Sequence, residues 1–181
     1  MRNIGKNNKI SMLLGLVVIL GYSNYTFAAN AVIQNTNPTD TGPGQWPTPR
    51  FEPAKNADNS ECEDANYDKL TGLMWAKNGS ASGLVWAGAK TYASNLILCG
   101  YNDWRLPTIN ELRSLINYSA TTSPANWLNS KNFSNISKDN YWSSTSYSLR
   151  GGKTWGVNMG TGLVYNYSQT DAYYVLPVRE R

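Results

Sequence analysis

The sequence predicts a single α+β domain in which two helices are followed by an antiparallel β meander, and three observations carry that prediction. Apolar residues recur at helical spacing over residues 86–98. A second helix is announced by a capping signature at Thr108. Behind it, residues 141–179 break into short aromatic and β-branched runs separated by turn-like segments. Strand, helix, helix and then strands is the order of a fold that segregates its elements rather than alternating them.

Taken in order, residues 29–50 are rich in Asn, Thr, Pro and Gly, and Pro38, Pro43, Pro47 and Pro49 oppose both helix and ladder. This reads as an extended leader whose far end is pinned by Trp46 and Phe51. Leu70 to Ala76 reads as the first strand, with a turn at Asn78-Gly79-Ser80. The first helix runs from Trp86 to Leu98 on Trp86, Ala89, Ala93, Leu96 and Ile97, and Gly100 stands where a helix stops. Trp104 to Pro107 is an extended link, and Thr108-Ile109-Asn110-Glu111 then opens a second helix, Ile109 to Asn117, with Leu112, Leu115 and Ile116 facing inward. Residues 119–139 read as a long surface loop around Pro124. The meander follows as Tyr141–Tyr147, Thr154–Met159, Leu163–Ser168 and Tyr173–Arg179.

The amino terminus predicts export. Arg2, Lys6 and Lys9 precede an uncharged apolar stretch from Met12 to Leu20 and then small residues at Ala28-Ala29, the pattern of a secretory signal cleaved near Ala28. Polar Ser23, Asn24 and Thr26 shorten the apolar run below what a bilayer needs. The mature chain is expected to lack a membrane span and to be secreted, periplasmic or at the cell surface. Residues 51–181 then form the domain. The formal charge of +4 falls to +1 once the three leader cations are removed, which gives no footprint for nucleic acid. What charge there is lies unevenly: residues 40–68 are acidic, whereas residues 69–181 hold eleven Lys and Arg against five acids. Cys62 and Cys99 are the only cysteines, and in an oxidising compartment they are expected to form one disulfide.

Catalysis has few starting points. The chain has no histidine, so Ser-His-Asp and Cys-His nucleophiles and histidine-bearing zinc sites are excluded. Neither metal nor cofactor is expected. Asp58, Glu61, Glu63, Asp64 and Asp68 lack the spacing of a calcium loop and read as a solvated turn ahead of the first strand. Glu111 reads as a helix cap rather than a catalytic acid. Trp75, Trp86, Trp104, Trp142 and Trp155 read mainly as core. The ligand-binding candidates are Tyr165 and Tyr167 on one strand face, Asn166 on the other, and the cations Arg150 and Lys153 that bracket Gly151-Gly152 at a hairpin tip.

Several blocks, in order, resemble one family. They are Leu70-Thr71-Gly72-Leu73-Met74-Trp75, Trp86 with Ala89, Gly100 through Leu112, Tyr141-Trp142-Ser143-Ser144-Thr145, and Tyr174-Val175-Leu176-Pro177-Val178-Arg179, led in by Trp46-Pro47 and Pro49-Arg50-Phe51. Together they look like the Lcl C-terminal domain family of exported bacterial domains. The resemblance implies a C-type-lectin-like fold with formylglycine-generating-enzyme-like relatives. It also implies framework roles for Trp75, Trp104, Arg105, Pro107, Glu111, Trp142, Ser143, Ser144 and Arg179, with Asp103 and Arg105 ordering the turn around Trp104. The family's name-giving member is a collagen-like adhesin whose terminal domain binds sulfated glycosaminoglycans as a trimer. This chain has no Gly-X-Y tract. It also places a cysteine at position 99, after the first helix, where many relatives place one near the position of Ala93.

The resulting expectation is a non-catalytic exported binding domain that recognises carbohydrate, sulfated glycan included, or a host or envelope surface component in adhesion. A homo-oligomer is compatible with it. The alternatives are an envelope assembly module that binds another protein and an unrecognised enzyme on a formylglycine-generating-like scaffold.

Overall fold

The computed structural model describes residues 46–149 and 151–181, so the expected signal segment, most of the leader and Arg150 lie outside the described residues. The chain is α+β, with three helices and two antiparallel sheets among those residues. One sheet has the order β1-β2-β3-β7, built from Phe51–Lys55, Glu61–Asp68, Leu73–Ala76 and Val178–Glu180. The other is a true meander, β4-β5-β6, built from Asn140–Ser146, Lys153–Asn158 and Val164–Ser168.

Five sequence expectations are corrected, the last of them in the segment before β7. The acidic stretch expected as a solvated turn is largely strand β2, with Cys62, Ala65, Asn66 and Asp68 buried and Glu61, Glu63 and Asp64 exposed. Its polarity hides the alternation, because Asn66 and Asp68 are buried against polar partners. Asn66 exchanges hydrogen bonds with Asn132, and Asp68 pairs with Arg50. Strand β3 begins at Leu73 rather than Leu70, since the Asp68 carboxylate draws the Leu70 N–H and the Thr71 hydroxyl into a turn at 3.0 and 2.8 Å. The first helix, α1 (Trp86–Ser94), stops short of Leu98. Cys99 and Gly100 both have positive φ and fold Leu98 back onto Tyr101 in a tight reversal. The expected loop 119–139 contains α3 (Pro124–Asn129), capped by the Ser123 hydroxyl with proline in its first turn.

The second helix, α2 (Ile109–Ser114), carries a complete capping box. The Thr108 hydroxyl accepts from the Glu111 N–H, and the Glu111 carboxylate accepts from the Thr108 N–H. Leu112, Leu115 and Ile116 meet Leu128 of α3, Tyr141, Val157 and Trp75 in the main core. On the other face of the meander, Ala89 and Ala93 of α1 lie over Trp142, Leu106 and Val175. A third cluster gathers Ala54, Ala65, Met74 and Trp104 around the Cys62–Cys99 disulfide.

The segment 173–179, expected as a fourth meander strand, instead joins the two sheets. Tyr173 bridges Leu84, Tyr174 bridges Tyr141 in parallel, and Val178 bridges Arg105 before β7 adds to β3. Pro177 has no N–H to give a ladder, so the run cannot remain one continuous strand.

Candidate functional site

The blocks that carry the family resemblance brace one another. The Arg105 guanidinium donates to both Glu111 carboxylate oxygens at 2.8 Å, which fastens the extended link to the cap of α2. Ser144 N–H donates to the Pro107 carbonyl at 2.7 Å, and Ile109 N–H donates to the Thr145 hydroxyl at 3.0 Å, so β4 holds the same turn from the other side. Ser143 Oγ donates to the Trp155 carbonyl at 2.6 Å, and its own carbonyl receives Trp86 Nε1–H at 2.9 Å. Arg179 takes Asp103 at 2.6 and 3.0 Å while its guanidinium lies 3.7 Å from the Tyr101 ring centre. Trp75, Trp104 and Trp142 are fully enclosed. The polar groups of Arg105, Glu111, Ser143 and Arg179 are thus engaged within the fold.

These ion pairs have a pH signature. Burial pushes the Glu111 carboxyl up, but the Arg105 hydrogen bonds and the Thr108 N–H outweigh it and hold it below its ordinary 4.5. A carboxylate held low in the folded state contributes its stability in full above the unfolded value and loses it as pH falls through the folded value. Glu111→Gln is therefore expected to cost on the order of 1.5 kcal/mol at neutral pH. It should also flatten the acid limb of a melting-temperature profile below about pH 4.5. Parallel acid limbs for the two proteins would remove the Arg105–Glu111 pair from acid unfolding.

The surface that remains available lies on β6 and the end of β4. Tyr165 and Tyr167 share a face, with ring centres 5.8 Å apart and edge to face, and Tyr173 continues the group at 4.7 Å from Tyr167. Trp142 supports them from below, 5.0 Å from Tyr173, and its indole N–H is held by the Leu84 carbonyl. Gly156 lets the rings settle on the sheet, because a Cβ there would stand 2.6 Å from the Tyr141 carbonyl oxygen and 3.2 Å from the Tyr167 ring. Tyr165 is 61 % exposed, whereas Tyr167 is half-buried. The Tyr167 hydroxyl donates to Asn140 Oδ1 at 2.8 Å, and Asn158 Nδ2 donates to the same oxygen at 2.8 Å. Asn158 Oδ1 in turn accepts from the N–H groups of Gly160 and Thr161. Burial raises the Tyr167 and Tyr173 phenols above 10.0, and the nearby carboxylates, Asp139 for both and Asp171 for Tyr173, add to it. Both remain neutral hydroxyls across the physiological range.

The four sequence candidates among the described residues therefore do not converge. Tyr165 and Tyr167 lie together, while Asn166 and Lys153 sit on the opposite face and bond to each other at 3.1 Å, and Arg150 lies outside the described residues. Asn140, Asn158 and Tyr173, which complete the tyrosine surface, were missed. Asn140 and Asn158 fall at strand ends, where only the sheet register shows which face a residue joins, and Tyr173 lies in the connection between β6 and β7. Apart from that surface, a cleft of about 510 Å³ is lined by Trp46, Phe51, Trp127, Asn117, Lys131 and Asn132 among others.

No curated protein shows significant similarity to the chain. A family model described as the Lcl C-terminal domain matches residues 64–179, which takes in the braced blocks and the β4-β5-β6 meander with its tyrosine surface but not β1, and this chain belongs to that family.

Proposed function

We propose that the chain is an exported, non-catalytic carbohydrate-recognition domain of C-type-lectin-like type, and that the Tyr165–Tyr167–Tyr173 surface is its sugar platform. The observation that supports this most is an exposed tyrosine, its ring edge to face with that of Tyr167, beside a fixed amide network at Asn140 and Asn158. Ring faces pack on the apolar side of a pyranose, and side-chain amides and phenols that keep their protons orient its hydroxyls. Absence of chemistry is supported by composition. There is no histidine, both cysteines are bridged, and Asp68, Asp103 and Glu111 are engaged by arginines.

The charge around the platform favours neutral sugars there. Asp139 and Asp171 flank the tyrosines, so a sulfate placed on this face meets like charge. Sulfated glycan is better suited to the opposite face, which carries Lys153. Tyr165→Ala is expected to weaken binding of neutral oligosaccharide by about tenfold, on the order of 1.4 kcal/mol, with little dependence on salt. A glycan array followed by titration calorimetry measures this. Retention of only sulfated glycans, lost in Lys153→Ala and indifferent to Tyr165→Ala, would move the site to that opposite face.

A further inference from the structure

Strand β6 ends the meander, and among the described residues no strand pairs with its outer edge. Hydrogen bonds at both ends of the β5–β6 ladder define which residues face that edge. Asn158 N–H donates to the Leu163 carbonyl and Gln169 N–H to the Gly152 carbonyl, both at 2.9 Å. In an antiparallel pair such bonded residues recur at every second position. Leu163, Tyr165 and Tyr167 thus direct their main-chain groups at β5, while Val164 and Asn166 direct theirs outward. The edge ends at Ser168, whose N–H and carbonyl are both taken by Asp171.

Sheet edges are normally blunted by proline, charge or a bulge. The opposite sheet obeys this: β1 carries Glu52, Pro53 and Lys55 and a bulge at Pro53/Ala54, and β7 is covered where Val178 bridges Arg105. Residues 163–168, Leu-Val-Tyr-Asn-Tyr-Ser, have no proline, no charged side chain and no bulge. Leu163 is 67 % and Tyr165 61 % exposed along it.

We propose that β6 pairs antiparallel with β6 of a second copy of this chain, with the two-fold axis between the two Tyr165 residues. In that register Val164 of each copy lies opposite Asn166 of the other, and each such pair exchanges both of its N–H···O=C bonds, so all four outward-facing groups of each copy are satisfied. On the exposed face, Leu163 meets Tyr167 of the second copy, and Tyr165 meets Tyr165. The apolar stripe is thus self-complementary in this register. The uncharged segment sets no like charges opposite each other, a condition that a strand docking on itself must satisfy. A partner of other sequence has no such match prescribed by β6. Pairing consumes the edge in both copies, so assembly closes at two. The axis is perpendicular to the sheet, so both tyrosine faces look the same way. On the glycan reading above, they would form one platform able to engage an extended chain with avidity.

Sedimentation equilibrium of the intact protein, without glycan, tests the pairing independently of that reading. The expected result is a mass that rises with concentration to twice the monomer's. Asn166→Pro removes an outward N–H without touching the β5 ladder, and Tyr165→Lys sets two cations together at the axis. Each is expected to return the protein to monomer with an unchanged circular dichroism spectrum. Hydrogen exchange at the Val164 and Asn166 amides, read on the unsubstituted protein, is expected to slow as the dimer fills. A monomer at all concentrations, a closed trimer, a dimer that survives both substitutions, or fast exchange at those amides independent of concentration overturns the proposal.

Discussion

Asp68→Ala is expected to destabilise the domain by about 3–5 kcal/mol, the cost of leaving one partner of a buried ion pair alone. Asp68 lies at the end of β2 with its side chain fully enclosed, and the Arg50 side chain is only 4 % exposed. Arg50 Nε donates to one carboxylate oxygen at 2.8 Å and Nη2 to the other at 2.5 Å. The same two oxygens accept from the Leu70 N–H and the Thr71 hydroxyl. Alanine therefore strands a guanidinium and opens the turn that starts β3. The aromatic rings of Trp46 and Phe51, 4.4 and 4.7 Å from the guanidinium carbon, keep water from replacing the carboxylate. An apolar replacement of both partners, Arg50→Met with Asp68→Leu, removes the stranded charge. It is expected to cost less than Asp68→Ala alone, a coupling that a double-mutant cycle in chemical denaturation reads directly. Equal costs for the single and double variants would show that the lost turn, rather than the orphaned charge, dominates.

The second large effect is the disulfide. Cys62 on β2 and Cys99 at the reversal after α1 are 37 residues apart in sequence, a loop whose closure is worth on the order of 4 kcal/mol in the chain-entropy account. For a domain of this size the double variant Cys62→Ala/Cys99→Ala is expected to lower Tm by roughly 10–15 °C. The bridge also tethers the reversal at Leu98–Tyr101 to β2. Cys99 has φ +57°, and its carbonyl accepts the Ala57 N–H at 3.0 Å, which ties the β1–β2 hairpin to the end of the helical segment. Thiol reduction should reproduce the Tm of the double variant in a calorimetric scan. A shift of only a degree or two would mean that the small core around Trp104 and Met74 is held without the bridge.

Much of the scaffold was legible in the chain because local rules decide it. The capping box at Thr108 needs only side chains three residues apart. The turns that separate β4, β5 and β6 follow from glycines and polar residues placed between short aromatic runs. Helix α3 also had a local signal, Ser123 before Pro124, that the surrounding Ser and Asn obscured.

The sequence alone determined the α+β class, the meander, the cysteines available for a bridge and the family, all of which depend on neighbours along the chain or on ordered motifs. Tertiary structure decided which residues share a surface. It made Asp68 a buried ion-pair partner instead of a solvated acid, sent residues 173–179 between two sheets, and brought Asn140 and Tyr173 to Tyr167. The physical reason is that burial of a polar group and the partner of a strand are set by groups many residues away. Asn66 with Asn132, Asp103 with Arg179 and Ser80 with Val175 are contacts that no local periodicity records.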